Sequence, residues 1–289
     1  MTHVSGSKWS ITALPAELLY SIHLWALNPA FPLTNRSLYA TMKNAPRSIS
    51  ARYLFYRHEN TTLDLAGLIS HVLKYPLCTP DVFERFLIIV PRPYRHLYPN
   101  PRQTVNAPPV VETPVRLFRL PRRLFRSLEP DKDKNSIKDD ATFTFLESLY
   151  KLPPVSYSGT EKTQALLPDS NSHDGYPLIK AVQAKNRRLI NLLLAHKADP
   201  SRNQKMAVLL AIQQRDLSLV KLLVEGTPTT RRQIRSSNAR KGVQKKTDLV
   251  VVDNVMLGVA VKEGATEIVE WLVKEKGVVP DIKTLRSME

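Results

Sequence analysis

The segment at residues 174–200 constrains the fold more than any other part of the chain, because two weaker copies follow it. It reads DGYPLIKAVQAKNRRLINLLLAHKADP, and an internal repeat of this size indicates stacked units. Pro177 suits a first helical turn, Leu178 and Ala181 share one helical face, and an apolar run at residues 189–194 follows a polar turn. The segment is therefore predicted to be two helices joined by a turn.

The two copies keep the apolar pattern but differ in spacing. Leu192, Leu222 and Trp271 occupy matching positions in the three units. The first step is close to the roughly 33 residues usual for repeats of this kind, and the second is much longer. The longer step places an insertion at residues 227–248.

Units of this kind cannot bury their apolar faces singly, so about three are a practical minimum and both ends require caps. Residues 280–288 are predicted to form the terminal cap. Ile282 and Leu285, spaced three apart, are its apolar residues.

The repeated pattern resembles the ankyrin repeat, whose units run from a Thr-Pro-Leu-His helix start to a Gly-Ala-Asp-Pro ending. Tyr176 and Ile179 stand where Thr and His are usual, and Lys185 and Lys197 stand where Gly normally turns the chain. A left-handed backbone is expected at Lys197, at a cost of about 1 kcal/mol for a residue other than glycine. The resemblance implies a short all-α stack at residues 173–289 that holds a target protein on its surface.

Composition narrows the class of protein. The chain has 289 residues with an apolar share of 43%, which is enough for two or three modules with real cores. A formal charge of +16 favours contact with an acidic partner, which is a nucleic acid, an anionic membrane or an acidic protein surface. Cys78 is the only cysteine, so an internal disulfide framework is excluded. The sequence also shows no secretion signal and no run of about 18 apolar residues, so a soluble protein of the cytoplasm or nucleus is expected.

A second pattern lies near the start of the chain, where LPAELLYSI opens a predicted amphipathic helix. It resembles the F-box, and Tyr39 stands near the place where such a box carries an aromatic residue. The resemblance covers residues 10–55 and implies docking onto the linker subunit of an SCF-type ubiquitin ligase. The order of box, middle region and repeats is similar to that of a set of fungal F-box and ankyrin proteins. By this resemblance the partner-facing residues are Leu14, Pro15, Leu18, Leu19 and Ile22.

The alternative is that these leucines pack an N-terminal helical cap. The next region, residues 56–90, contains two apolar runs separated by a turn with proline, and is predicted to be a helical hairpin. Thr79 or Asp81 is expected to cap its second helix, with Pro80 just inside the start.

Residues 91–172 are predicted to be a basic, Pro-rich linker with short helices. Within it four leucines fit one helical face, interrupted by Pro121, and four arginines surround them. One interpretation is a basic amphipathic element for an anionic membrane or nucleic acid phosphate. The other, which we favour, is a helix docked on the repeats with solvated arginines. The leucines are Leu117, Leu120, Leu124 and Leu128, and the arginines are Arg119, Arg122, Arg123 and Arg126.

The insertion is strongly basic and has no acidic residue before Asp248. Three interpretations remain open: an ordinary disordered loop, a contact for an acidic partner, and a loosely bipartite nuclear-import signal. Its candidate contact residues are Arg231, Arg232, Arg235, Arg240, Lys241, Lys245 and Lys246.

No phosphate-binding, metalloprotease or nucleophile-elbow motif is present, and His71 with Cys78 lacks a second ligand pair. We therefore expect no enzyme activity, no cofactor and no metal. The predicted fold class is all-α, with F-box-like helices, a helical and Pro-rich middle region and a short ankyrin stack. The predicted function is a non-catalytic adaptor for an SCF linker subunit and an unknown target. The alternative is a nuclear ankyrin protein that binds nucleic acid or acidic chromatin partners through its basic segments.

Overall fold

The structure is a computed structural model, and it describes residues 11–59, 61, 63–90, 115–128, 137–152, 155–156, 163–226 and 248–286. The chain divides into two compact units. The first comprises Met1–Phe118 and Pro153–Leu166, and the second comprises Arg119–Leu152 and Leu167–Glu289.

The first unit is built mainly from short helices whose starts follow from local sequence. The side chain of Asn35 caps α2 (Arg36–Lys43), and that of Asp64 caps α4 (Leu65–Val72). The side chain of Thr79 caps α5 (Pro80–Ile89) by accepting a hydrogen bond from the amide of Val82. The predicted cap at Thr79, with Pro80 in the first turn, is therefore confirmed. The helices are α1 (Ala16–Ala26), α2 (Arg36–Lys43), α3 (Arg47–Tyr56), α4 (Leu65–Val72) and α5 (Pro80–Ile89).

Helix α3 is the centre of this unit. It packs against α1 and, most extensively, against α5. Leu54 of α3, Leu68 and Ile69 of α4, and Phe86 of α5 are all fully buried. Burial of these four large apolar side chains supplies several kcal/mol, at about 1.5 to 3 kcal/mol each.

The chain is predominantly helical, in agreement with the predicted fold class, and three short strands form one small sheet beside the helices. The strands are β1 (Val115–Arg119), β2 (Val155–Ser156) and β3 (Thr163–Asp169), in the order β1-β3-β2. Strands β2 and β3 are antiparallel, with Val155 opposite Gln164. The sequence did not predict this small sheet, because a strand is stabilised by a partner far along the chain rather than by its own periodicity.

The predicted helical face of leucines is also wrong. Leu117 lies in β1 and is 58% exposed, whereas Phe118 beside it is fully buried. After Pro121 the chain forms one turn of 3-10 helix, Arg122–Phe125, which packs against α7 (Ser172–Gln183). Alternation at the end of a strand, followed by a single turn, explains why Phe118 and Leu120 are buried before the proline and Leu124 and Leu128 after it.

The second unit contains α6 (Ile137–Tyr150) followed by three helical hairpins. The first helices of the three hairpins are α7, α9 (Arg202–Gln213) and α11 (Asn254–Lys262). Helix α7 packs against α9 and α9 against α11, and each of the three also packs against the second helix of its own hairpin. The first residues of α7 and α9 have left-handed backbone angles before the right-handed helix begins. The hairpins are α7 with α8 (Arg187–Ala195), α9 (Arg202–Gln213) with α10 (Leu217–Glu225), and α11 (Asn254–Lys262) with α12 (Thr266–Glu270).

The turn within each hairpin repeats the same backbone geometry. Lys185, Arg215 and Gly264 occupy matching positions and have φ angles of 55°, 56° and 66°. The left-handed angle expected at Lys197 is confirmed, with φ of 64°. Only the third turn has the glycine that this conformation favours. In the first two turns the left-handed conformation of Lys185 and Arg215 is strained and is maintained by the packing around it.

Ion pairs connect each hairpin to the next. Arg187 at the start of α8 lies 2.6 Å from Asp216, which caps α10. Lys205 of α9 lies 2.6 Å from Asp253, which caps α11. Each carboxylate therefore satisfies an orphan amide of its own helix and a cation from the preceding hairpin.

The two segments that flank the predicted insertion are joined by one cation, the side chain of Lys276. The ammonium of Lys276 lies 3.0 Å from Glu225 at the end of α10 and 3.0 Å from Asp248. The Leu249 amide also donates to the Val224 carbonyl over 2.7 Å. Residues 227–247, including all seven basic candidates of the insertion, lie outside the described residues.

The terminal helix faces the other way from the prediction. Helix α13 (Ile282–Arg286) packs against α11, but Ile282 is 73% exposed and Leu285 is 49% exposed. Thr284 is the side chain that is buried there, where its hydroxyl and amide both bond to Asp281. A capped first turn fixes the rotation of this short helix and overrides the apolar spacing. Among the described residues, no helix is both long and apolar enough to cross a membrane.

Candidate protein-binding surface

Helix α1 has one apolar face that is exposed in its own unit. Leu18 and Trp25 are 50% and 88% exposed, Leu14 just before the helix is 38% exposed, and Ile22 is half-buried. These side chains border a surface groove, called here the α1 groove. It is lined by Leu14, Leu18, Ser21, Ile22, Trp25 and Ala26.

The opposite face of α1 anchors the helix. Leu19 is only 3% exposed and packs with Leu38 and Met42 of α2, against Tyr20 and Phe31. Leu19 therefore does not belong to the partner-facing set in which the sequence placed it. It belongs to the core, which agrees with the alternative of helix packing for this one leucine.

Pro15 starts α1 rather than lining the α1 groove. It is exposed at the N-cap position with φ of −53° and ψ of 147°, and no side chain in the described part of the chain caps this helix end. Leu27 ends the helix in a left-handed conformation, with φ of 49°. Pro15 thus fixes where α1 begins and so sets the direction in which Leu18 points.

Trp25 is the residue that sequence reasoning missed. Leu14, Leu18, Ile22 and Trp25 follow each other at intervals of four, four and three, which is the spacing of one helical face. That spacing could have found it, but the F-box resemblance directed attention to an aromatic residue further along the chain. Tyr39, at that place, is 50% exposed on α2.

The chemistry of the α1 groove is that of a protein contact. None of the six side chains that line it is charged. Isolated exposed apolar side chains are normal, but a contiguous apolar patch that includes a tryptophan is typical of interaction sites. This mainly apolar lining is therefore suited to binding an apolar surface of another molecule.

A second apolar feature lies on the three hairpins. Tyr176, Met206 and Val255 occupy matching positions near the starts of α7, α9 and α11. Met206 is 38% exposed and Val255 is 62% exposed, and the guanidinium carbon of Arg122 lies 5.3 Å from the centre of the Tyr176 ring. This hairpin row therefore combines an apolar stripe with a cation at one end.

The four arginines at residues 119–126 are exposed or half-buried. Arg119, Arg122 and Arg126 are exposed and Arg123 is half-buried, while Leu120 and Leu124 beneath them are buried. The burial supports a docked element with outward arginines rather than a free amphipathic helix, although the element is a strand and one helical turn.

Several buried titratable groups serve packing in both units. Burial lowers the pKa of His23, His58 and His196 below the usual value, so the neutral form is favoured. Burial also raises the pKa of Tyr150 to about 12, and its hydroxyl lies 2.6 Å from the Ser170 hydroxyl. Within the described ranges no group of three or more histidine, cysteine, aspartate or glutamate residues is placed to hold a metal ion.

Comparison with known proteins gives no family for this chain. No protein-family model, curated protein or solved structure matches this chain.

Proposed function

We propose that the protein is a non-catalytic adaptor that docks through the α1 groove and holds a target protein on its hairpins. The proposed partner of the α1 groove is the linker subunit of an SCF-type ubiquitin ligase, as the F-box resemblance implies. The adaptor would act by proximity, since joining two binding sites in one chain raises the effective concentration of one partner near the other.

The observation that carries the proposal is the exposure of Trp25 on a well-anchored helix. A tryptophan at 88% exposure costs solubility and adds nothing to its own core. The buried Leu19 fixes the rotation of α1, so Leu18 and Trp25 are presented rather than mobile. Aromatic anchors on a preorganised helix are typical of residues that dominate binding energy.

The hairpin row supports the second half of the proposal. Tyr176, Met206 and Val255 present an apolar stripe across three consecutive hairpins, and Arg122 and Lys180 both lie within about 6 Å of the Tyr176 ring. A target with apolar side chains followed by an acidic residue would match this order of contacts. Target binding would then depend on Met206 and Val255, which are 38% and 62% exposed.

The test is a titration of the full chain with a purified SCF linker subunit by calorimetry. Leu18→Asp should abolish binding and Trp25→Ala should weaken it at least about 30-fold, which corresponds to the 2 kcal/mol or more of a dominant contact. Ile88→Asp is the matched control, because Ile88 is 62% exposed on α5 of the same unit and lies outside the α1 groove. Affinity of the control should equal that of the wild type.

Two results would overturn the proposal. One is the absence of binding between the linker subunit and the wild-type chain. The other is equal affinity for wild type and Leu18→Asp, since the α1 groove would then have no part in the contact.

Raising the salt concentration distinguishes this proposal from a further candidate function, the binding of nucleic acid through exposed arginines such as Arg126. Phosphate contacts weaken steeply with salt, whereas an apolar contact does not.

A further inference from the structure

A cavity in the first unit is not used by the proposed adaptor function. It lies between α1, α2, the start of α3 and the turn after α4, and its volume is about 360 Å³. Cavities that bind small molecules begin at about 300 Å³. The side chains that line the α1 groove do not line this cavity, so the two sites are separate.

The walls of the cavity are held rigidly by one guanidinium. Arg57 donates to the hydroxyls of Tyr53 and Tyr75, both over 3.0 Å, and to the Leu27 carbonyl over 3.1 Å. These bonds join the end of α1, the helix α3 and the turn after α4. The two phenol oxygens accept from Arg57, so each hydroxyl proton stays available for another acceptor. A pre-formed cavity of this kind does not need to order itself when a ligand enters.

The lining favours a flat, apolar ligand. His23 stacks on Tyr53 with ring centres 4.3 Å apart and planes 9° from parallel. Both rings border the cavity, together with apolar side chains such as Met42 and Ile49. His23 is 7% exposed, and no described residue forms a hydrogen bond with its Nδ1 atom, which is costly unless a ligand or a change of ring orientation satisfies it.

The charge at the cavity is positive. Lys43 lines it, and none of the described residues that line it is acidic. Lys43 also forms no ion pair with any described residue, and it is exposed at the rim. A single cation beside an aromatic and apolar interior complements a ligand with one negative charge.

We propose that this cavity binds a small aromatic monoanion, with its ring system between Tyr53 and Ile49 and its acidic group against Lys43. The proposal rests on no part of the adaptor function, and the adaptor can bind its partners whether or not the cavity is filled.

The test is calorimetric titration of the full chain with 2-naphthoate, which has two fused rings and one carboxylate. Wild type should bind one equivalent with a Kd below about 1 mM. Ile49→Trp, which fills the cavity, should abolish binding. Lys43→Glu should weaken it about tenfold through loss of one attraction and gain of one repulsion.

Two further variants protect the test. Leu77→Glu changes a lining residue that is already 39% exposed, so it should fold normally while placing a negative charge near the ligand. It should weaken binding about tenfold. Arg52→Glu makes the same charge change as Lys43→Glu at an exposed site on α3 outside the cavity, and should leave the affinity unchanged.

The proposal is overturned if wild type shows no saturable heat with 2-naphthoate. It is also overturned if Leu77→Glu binds as tightly as wild type, or if Arg52→Glu weakens binding as much as Lys43→Glu. The last result would show that net charge, rather than this cavity, attracts the anion.

Discussion

Leu18 and Leu19 are neighbours in the chain, yet helix α1 points their side chains about 100° apart, so Leu18 is 50% exposed and Leu19 is 3% exposed. A change at one position therefore tests binding, and the same change at the other tests folding. This separation makes the pair the most useful site for mutation in the first unit.

We expect Leu19→Ala to lower the free energy of unfolding by about 2 to 4 kcal/mol, because it leaves a cavity beside Leu38 and Met42. Leu18→Ala should change it by less than about 0.5 kcal/mol, because its side chain is half in solvent. Urea denaturation followed by circular dichroism measures both. Equal losses for the two variants would contradict the orientation of α1.

The hairpin turns offer a test of backbone strain. Arg215→Gly should raise the free energy of unfolding by up to about 1 kcal/mol, because Arg215 has φ of 56° and glycine adopts this angle without a steric cost. Gly264→Ala, at the matching position, should lower it by about 1 kcal/mol for the same reason. Thermal unfolding of the two single variants and the wild type gives both signs. A loss of stability in Arg215→Gly would show that its side chain outweighs the strain.

Stability should fall in mildly acidic solution. Burial lowers the pKa of His58 below the ordinary histidine value of 6.5, and the neighbouring His71, Arg57 and Lys74 add smaller effects in the same direction. A histidine with a lowered pKa is neutral in the folded state but takes up a proton when unfolded, so its contribution is complete above pH 6.5 and is lost as the pH falls through the folded pKa. Urea midpoints measured between pH 7.5 and 5 should decrease.

His58→Phe is the matched variant for this pH effect. It keeps a ring beside His71 and Tyr75, whose ring centres lie 5.6 and 5.7 Å away, and removes one titrating group. The decrease of the urea midpoint with falling pH should become shallower. An unchanged slope would assign the pH dependence to other groups, such as His23.

Lys276 predicts how the chain tolerates changes in the insertion. Replacing residues 227–247 with a short Gly-Ser linker should leave the melting temperature within about 2 °C, because Lys276 already holds Glu225 and Asp248 together. Lys276→Met should lower the free energy of unfolding by about 1 to 2 kcal/mol, since both carboxylates lose their cation while water still reaches them. Calorimetry of the two variants checks this. A large fall in melting temperature on replacement of residues 227–247 would show that the insertion stabilises the hairpins.

The sequence predicted the elements that depend on local signals. Thr79 and Pro80 mark the start of α5, and Lys197 marks a left-handed turn, because caps and turns are set by a few adjacent residues. Strands β1 and β3 were missed since their pairing joins residues separated by more than forty positions. Leu117 was assigned to a helix on the basis of spacing that a strand and a single turn can also produce.

The candidate sites were predictable only in part. Four of the five proposed partner-facing residues are exposed or half-buried, whereas Leu19 is buried, and burial depends on α2, which α1 contacts through tertiary packing. The aromatic cavity was not predictable, because residues from His23 to Leu77 converge on it from four segments of the chain. No spacing in the sequence encodes that convergence.

The ion pairs between hairpins depend on the order of the three units. Asp216 takes its cation from Arg187, and Asp253 takes its cation from Lys205, so each carboxylate matches one predecessor only. Shuffling the order of the hairpins, or inserting a copy of one between the others, would bring caps and cations together in mismatched sets. A duplicated hairpin would therefore keep these contacts only if it supplied both a capping carboxylate for the hairpin before it and a cation for the hairpin after it.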